Sequence, residues 1–162
     1  MLRLALPSET ATAHLAGALA SVLEAGDLVL LAGDLGAGKT AFVRHAAAAL
    51  GVREPVRSPT YTVAHEYAIE GAEPRTIAHL DLYRHTETAL GDAAWGDIEP
   101  YFASFAAFVE WPAVAAAQLA GRTTWRIDLE LRSLTARVAL VTAPDAAAER
   151  TLLDAWIAAI VR

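Results

Sequence analysis

A glycine-rich octapeptide near the start of the chain limits the possible fold more than any other feature. It reads Gly33-Asp34-Leu35-Gly36-Ala37-Gly38-Lys39-Thr40 and fits the Walker A pattern G-x-x-x-x-G-K-[ST]. Such a loop joins a buried strand to a helix, and its backbone N–H groups wrap a phosphate at the helix N-terminus. The motif predicts that Lys39 reaches the β- and γ-phosphates of a nucleotide and that the Thr40 hydroxyl ligates Mg²⁺.

The use of basic residues supports this interpretation of the loop. Lys39 is the only lysine of the chain, and the other twelve of the thirteen basic residues are arginines. The planar fork of arginine is no equivalent substitute for the compact charge that the phosphate loop requires.

The sequence around the loop predicts the strand and the helix that the motif requires. The apolar run Asp27–Ala32 is typical of a buried central strand, and a helix follows over Lys39–Leu50, where Gly51 ends it. A helix is predicted over 9–25, with Ser8 as its N-cap, and another over 145–161. The segment 90–102 is expected to be partly helical. Further strands are predicted over 61–67, 76–83, 105–111, 125–131 and 136–142.

This order of elements predicts a three-layer α/β P-loop NTPase fold with a mostly parallel central sheet. The last two predicted strands form a hairpin and are expected to add antiparallel edge strands to that sheet. At 162 residues the chain is predicted to be one domain, residues 1–162.

Composition excludes several classes of function. The chain has no cysteine, which excludes disulfides, thiolate metal sites and cysteine nucleophiles. A net charge of −6 does not favour independent binding of nucleic acid. No apolar run has the length needed to span a bilayer, and the first residues do not resemble a signal peptide, so we expect a cytoplasmic protein without membrane contact. The absence of asparagine removes the guanine-recognition motif of GTPases and the catalytic loop of protein kinases.

Two predicted strands end in a carboxylate. A P-loop enzyme needs an acidic residue at the end of a neighbouring strand, where it holds the metal or orients water. Glu110 ends the apolar run that begins at Phe105, and Asp81 ends the run that begins at Ile77. We expect both to be catalytic together with Lys39, and their two roles are interchangeable at the level of sequence.

Three further residues have both a functional and a structural interpretation. Thr60 and Thr62 follow a proline, and their hydroxyls could reach the γ-phosphate, although strand propensity alone explains the pattern Thr-Tyr-Thr. Arg84 could support transition-state charge, although a surface arginine is the more common outcome. The five histidines lack the spacing of metal ligands, and none is predicted to bind a metal.

Four segments together resemble one family. They are the octapeptide 33–40, Ser58-Pro59-Thr60-Tyr61-Thr62, His79-Leu80-Asp81-Leu82-Tyr83-Arg84 and Glu110-Trp111-Pro112. In order and spacing they resemble the bacterial TsaE family of small P-loop ATPases. The chain departs from the family at Ala41, where a second threonine is usual, and around residues 90–99, which leaves no role for Asp97 or Glu99.

The resemblance implies a function in tRNA modification. TsaE-like proteins bind ATP and Mg²⁺ and act with TsaB and TsaD in making threonylcarbamoyladenosine in tRNA, which they meet only through the complex. ATP hydrolysis would reset the TsaB–TsaD complex, while TsaD performs the transfer. The resemblance also implies site roles: Thr40 and Glu110 as metal ligands, Asp81 near the γ-phosphate, Trp111 beside the site, Thr60 and Thr62 in a switch-like loop, and Arg137 at the nucleotide.

Two other functions share the phosphate loop. A small-molecule kinase would add an acceptor pocket and a lid, and no insertion of lid length lies between Arg84 and Phe105. A docking module would bind ATP without turning it over, and composition does not distinguish that module from an ATPase. The leading hypothesis is an ATPase with slow basal turnover, because no cis arginine finger is evident from the sequence.

Overall fold

A computed structural model describes residues 1–59, 63–71, 73, 75–86 and 90–161. The strands are β1 (Leu2–Leu6), β2 (Asp27–Ala32), β3 (Ala64–Ile69), β4 (Arg75–Asp81), β5 (Ala106–Glu110), β6 (Trp125–Leu131) and β7 (Arg137–Thr142). The α-helices are α1 (Glu9–Val22), α2 (Lys39–Leu50), α3 (Asp92–Ile98), α4 (Ala116–Leu119) and α5 (Ala146–Ile160). Short 3₁₀ helices cover Tyr83–His85, Glu99–Ala103 and Pro112–Ala115.

The strands form one seven-stranded sheet in the order β1-β7-β6-β2-β5-β4-β3. The four central strands β6, β2, β5 and β4 are parallel to one another. β7 and β3 run in the opposite direction, and β1 is antiparallel to β7, so five of the seven strands share one direction. This arrangement confirms the predicted mostly parallel sheet and the antiparallel hairpin near the C-terminal end. The hairpin does not form the edge of the sheet, because β6 is parallel to β2 and β1 pairs with the outer side of β7.

Helices cover the sheet on both faces, as the three-layer prediction required. One buried cluster joins α1, α2 and α5 to the sheet through residues such as Leu15, Phe42 and Leu152. A second cluster, on the other face, includes Ile98 of α3 and Leu119 of α4. Because both faces are covered, the central strand β2 is apolar from Leu28 to Ala32 and buried over its four inner residues.

Most predicted elements agree closely with the observed ones. β2, α2 and β6 have the predicted bounds, and Ser8 caps α1 by accepting a hydrogen bond from the Ala11 N–H at 3.2 Å. α1 ends three residues earlier than predicted, because Leu23 is extended and the Asp27 carboxylate accepts from the Glu24 N–H. β4 ends at Asp81, whose carboxylate accepts from the Tyr83 N–H and so favours a 3₁₀ turn there.

The first strand was not predicted. Leu2–Leu6 pairs antiparallel with β7, from Leu2↔Val141 to Leu6↔Arg137. An edge strand of five residues with one buried face has a weak pattern, and its partner lies near the other end of the chain.

Among the helices that the structure describes, none combines the length and apolarity needed to cross a membrane.

Gly33 occupies a position that a larger residue cannot take without distortion. It lies just after β2 with a φ of 135°, and a Cβ built there would be 2.3 Å from the Leu129 backbone oxygen of β6. We predict that Gly33→Ala lowers the free energy of unfolding by about 2–3 kcal/mol, in the upper range for single substitutions. Denaturant unfolding measures the change.

Gly96→Ala is the matched control for this substitution. Gly96 lies exposed in α3, has no positive φ, and a Cβ there would meet nothing within 4 Å. This variant should be neutral or stabilised by up to about 1 kcal/mol, since alanine favours a helix over glycine. Equal stability of the two variants would contradict the steric argument.

Candidate functional site

The phosphate loop leaves the carboxyl end of β2 and enters α2. Gly38 is the N-cap of α2 and adopts the left-handed conformation, with φ 105° and ψ 19°. A side chain at this position would be strained, and a Cβ would also lie 3.6 Å from Nε of Arg137. The glycine therefore lets the chain turn directly into the helix, so that the helix N-terminus lies at the edge of a cavity.

That cavity has a volume of about 360 Å³ and is lined by most of the residues that were predicted to form the site. Its lining consists of Leu35, Gly36, Gly38, Lys39, Thr40, Ala41, Ser58, Asp81, Tyr83, Glu110 and Trp111. The loop, β4 and β5 thus contribute to one space, although they lie far apart in the sequence.

The register of the sheet explains why these residues meet. β5 lies between β2 and β4, and Glu110 pairs with Leu31 on one side and with Asp81 on the other. In a parallel sheet the carboxyl ends of neighbouring strands lie at the same edge, so the phosphate loop and both carboxylates are brought together. The two predicted strand-end acids are therefore direct neighbours.

Lys39 lies folded back on its own loop. Its ammonium donates to the backbone oxygens of Gly33 at 2.9 Å and Asp34 at 3.0 Å, and it lies 3.9 Å from the centre of the Trp111 ring. The residue is only 4% exposed. The two hydrogen bonds use two of the three ammonium protons and leave the third for an acceptor that enters the cavity.

Burial lowers the pKa of Lys39 below its ordinary value of 10.5. The negative charges of Glu110, Asp81 and Asp34 act in the opposite direction and raise this pKa, but desolvation by burial is the larger effect.

Glu110 is buried between two polar partners. Its Oε1 atom accepts a hydrogen bond from the Thr40 hydroxyl at 2.8 Å and lies 2.8 Å from Nε2 of His79. Glu110 is 2% exposed and His79 is fully buried. The structure thus brings together Thr40 and Glu110, the two residues predicted to ligate a metal.

Asp81 has a different set of partners. Its Oδ2 atom accepts from the Ser58 hydroxyl at 2.7 Å, and its Oδ1 atom accepts from the Tyr83 N–H at 3.1 Å. Both oxygens therefore hold neighbouring backbone segments, the one that follows α2 and the one that follows β4. Asp81 is only partly buried and lines the cavity beside Glu110.

Trp111 is strained and in contact with the site. It has φ 60° and ψ 48°, the only positive φ found outside glycine in the described part of the chain. Such a conformation costs about 1–3 kcal/mol and is common at functional sites. It places the Trp111 ring against Lys39 and 5.0 Å from the ring of Tyr83, so that Trp111 lines the cavity.

Arg137 lies on the other side of Gly38. Its Nε donates to the Ala37 backbone oxygen at 3.3 Å, and its Nη1 donates to the Leu134 oxygen at 3.1 Å. It lines a second cavity of about 190 Å³ together with Glu9, Thr12, Gly38, Ala41, Leu134 and Thr135. This second cavity shares Gly38 and Ala41 with the first one.

The remaining predicted residues are placed as follows. Gly33, Asp34 and Ala37 contribute backbone oxygens that hold Lys39 and Arg137. Thr60 and Thr62 lie outside the described residues. Arg84 is exposed in the 3₁₀ helix that follows β4.

Three residues at the site were not predicted. Ser58 and Tyr83 line the cavity, and His79 touches Glu110. His79 and Asp81 are two residues apart in β4, so their side chains share one face of the sheet, and this spacing was visible in the sequence. The partner of His79 was not visible, because it depends on the pairing of β4 with β5.

Comparison with known proteins identifies the family. The sequence model of the family described as threonylcarbamoyl adenosine biosynthesis protein TsaE matches residues 6–139. The chain belongs to the TsaE family. This result confirms the resemblance carried by the four sequence segments.

Several proteins named tRNA threonylcarbamoyladenosine biosynthesis protein TsaE are similar to this family member. The one from Mycobacterium leprae is 36% identical over 124 residues, which cover 74% of this chain and 75% of that protein. The one from Nostoc sp. is 44% identical over 84 residues, or 52% of this chain and 50% of that protein. The one from Aquifex aeolicus is 44% identical over 81 residues, or 49% of this chain and 59% of that protein. The chain thus spans only about half of the last two relatives.

A solved structure shares the fold of this TsaE family member. The crystal structure of Bacillus subtilis YdiB superposes with a TM-score of 0.70 and covers 95% of this chain and 93% of that one. The two sequences are 24% identical, and the likeness supports the fold alone.

The single lysine makes the environment of Lys39 directly measurable. With lysine ¹³C-labelled at Cε, NMR should show one resonance, and its titration should give a pKa below 10.5 because burial disfavours the charged form. Glu110→Gln should lower this pKa further, since it removes a negative charge that raises it. Glu149→Gln, at an acid on α5 far from the site, should leave it unchanged. A pKa at or above 10.5, or a rise in Glu110→Gln, would contradict the assignment.

Proposed function

We propose that this chain is a Mg²⁺-dependent ATPase that supports threonylcarbamoyladenosine formation in tRNA, in the cytoplasm, by resetting a complex of TsaB-like and TsaD-like proteins. The observation that carries the proposal is the convergence of Lys39, Thr40 and Glu110 on one cavity at the N-terminus of α2. Membership of the TsaE family supplies the pathway, and the geometry of the site supports the chemistry.

The first cavity fits the phosphates of a nucleotide. Its floor is the turn from Gly36 to Thr40, where backbone N–H groups and the helix dipole favour an anion. Lys39 adds a positive charge that is already desolvated, so its attraction for a phosphate oxygen is stronger than it would be in water. These groups would stabilise the charge that develops as a γ-phosphoryl group is transferred to water.

The residues beside Lys39 fit Mg²⁺. The Thr40 hydroxyl and the Glu110 carboxylate are oxygen donors in hydrogen-bond contact, and Mg²⁺ prefers few protein oxygens, with phosphates and waters completing its shell. Thr40 and Glu110 would hold the ion. When bound, it would neutralise phosphate charge during transfer.

The contacts of the two acids support a division of their roles. Glu110 contacts Thr40 at the start of α2 and is almost fully buried, which suits a residue beside the metal. Asp81 accepts from Ser58 and from the Tyr83 N–H, and it is more accessible. We assign Glu110 to the metal shell and Asp81 to the γ-phosphate side, where it would link the Ser58 segment to the site.

The second cavity fits the base of the nucleotide. It adjoins the phosphate loop at Gly38, and Arg137 and Glu9 lie in its wall. A carboxylate only accepts hydrogen bonds, so Glu9 facing the C6 edge of the base would accept from the amino group of adenine and repel the carbonyl that guanine carries at the same position. This contact would select adenine without a guanine motif.

The proposed ATPase has slow basal turnover that partners increase. The described residues give Lys39 three neighbouring acids and bring no arginine into the first cavity to balance developing charge. A TsaB-like and TsaD-like complex would complete the site on docking, and tRNA would be met only through that complex.

Mg²⁺-dependent release of phosphate from ATP tests the proposal. Wild type should release phosphate slowly alone and faster with cognate TsaB and TsaD, and Lys39→Ala should lose at least about 100-fold, the scale of removing one transition-state charge contact. Arg126→Ala is the control for loss of a positive charge. Arg126 lies near the N-terminal end of β6, away from the carboxyl ends of the strands where the site lies, and is paired with Asp128. This variant should retain wild-type turnover.

The same assay separates the alternative functions. Phosphate transferred to an added small molecule instead of water would indicate a kinase. Tight ATP binding without release, with and without the partners, would indicate a docking module and overturn the ATPase proposal.

Selection of adenine has its own test. Glu9→Gln gives the side chain an amide that can donate to a guanine carbonyl, so the preference for ATP over GTP in direct binding should fall about 5-fold to 10-fold, equivalent to one hydrogen bond of about 1 kcal/mol or more. Glu24→Gln, beyond the other end of α1, should keep the preference. An unchanged preference in Glu9→Gln would remove Glu9 from base recognition.

A further inference from the structure

We propose that His79 is a positioning residue for this site: its Nε2–H holds Oε1 of Glu110 and so fixes the orientation of the carboxylate beside the metal. The role of Glu110 rests on the proposed function, whereas the contact between His79 and Glu110 does not. No group of His79 lines the first cavity among the described residues, so it acts through Glu110.

The contact is close and shielded from solvent. Nε2 of His79 lies 2.8 Å from Oε1 of Glu110, with side chains 0% and 3% exposed. The two residues are on neighbouring parallel strands, in which His79 pairs with Phe108 and Asp81 pairs with Glu110. His79 therefore precedes Asp81 by two residues in β4, and its side chain lies on the same face of the sheet as the two acids, the face that α2 covers.

The surroundings of the other ring nitrogen assign the proton. Nδ1 of His79 is buried and has no hydrogen-bond partner among the residues that the structure describes. A proton on Nδ1 would be a buried donor without an acceptor, whereas a proton on Nε2 has a carboxylate oxygen at hydrogen-bond distance. The contacts therefore favour the tautomer with hydrogen on Nε2.

This bond leaves one oxygen of Glu110 for the reaction. Oε1 accepts hydrogen bonds from both the Thr40 hydroxyl and His79, so Oε2 is the oxygen left for the metal or for a water in the cavity. A hydroxyl rotates freely, but an imidazole enclosed by the core does not. His79 is thus the donor that keeps Glu110 in one rotamer while Thr40 engages the metal.

Three variants test this role through turnover. His79→Leu removes the donor and keeps an apolar volume, while His79→Gln retains an amide N–H near the position of Nε2. We expect His79→Leu to lower kcat about 10-fold to 100-fold with a KM for ATP within about threefold, and His79→Gln to recover most of the loss. His65→Leu is the matched control, because His65 pairs with His79 across the sheet but is exposed, and it should keep wild-type kcat.

A double-substitution cycle separates positioning from a general loss of structure. In a Glu110→Gln background, His79→Leu should change kcat by less than about twofold, because the oxygen that His79 positions has already been changed. A loss as large as in the wild-type background, or no loss in either background, would overturn the proposal.

Two readouts do not depend on hydrolysis. Imidazole ¹⁵N NMR, assigned by comparison with His79→Gln, should show hydrogen on Nε2 of His79 and a shift of that nitrogen in Glu110→Gln. The affinity of Mn²⁺ for the complex with a non-hydrolysable ATP analogue, measured by EPR, should fall about tenfold in His79→Leu and recover in His79→Gln.

These readouts distinguish the two possible failures. If wild type does not hydrolyse ATP, the proposed function fails, and the NMR result alone decides the role of His79. Hydrogen on Nδ1, or a His79 signal indifferent to Glu110→Gln, overturns the positioning proposal even if the protein is an active ATPase.

Discussion

The buried carboxylate of Glu110 is the interaction on which the site depends. An ionised carboxyl group taken out of water is unfavourable unless donors surround it, and here Thr40 and His79 both contact the same oxygen. Those donors come from the helix that follows the phosphate loop and from the neighbouring strand β4. One charge therefore ties α2, β4 and β5 together at the edge of the sheet where the loop ends.

The sequence was sufficient to predict the parts of the structure that follow local rules. β2 is a short strand that is apolar after Asp27, and α2 begins at the loop and ends at Leu50, just before Gly51, so both were predicted with the observed bounds. Glu110 and Asp81 were found because a carboxylate directly after an apolar run is a local signal. The same rules explain Ser8, which caps α1 through its side chain.

The parts that were missed depend on pairing between distant segments. β1 is recognisable only next to β7, and His79 is a site residue only because β4 lies beside β5. A lone histidine in an apolar strand is usually a core residue, and the spacing of His79 from Asp81 does not by itself distinguish it from that case. The contacts that distinguish Glu110 from Asp81 also depend on distant segments, since Thr40 contacts the first and Ser58 the second.

The arrangement around Lys39 shows how the chain balances stability against binding. The ammonium lies under the Trp111 ring and donates to two loop oxygens, and these contacts compensate for burying the charge. The left-handed backbone of Trp111 is an unfavourable conformation that brings its ring to Lys39. Under the proposed function, a phosphate would meet a charge that is already desolvated and held by groups of its own loop, so only part of the lysine's hydrogen bonding would have to change. Strain at one residue thus supports a preformed cation, and this explains why the least favourable backbone geometry outside glycine in the described chain lies against its single lysine.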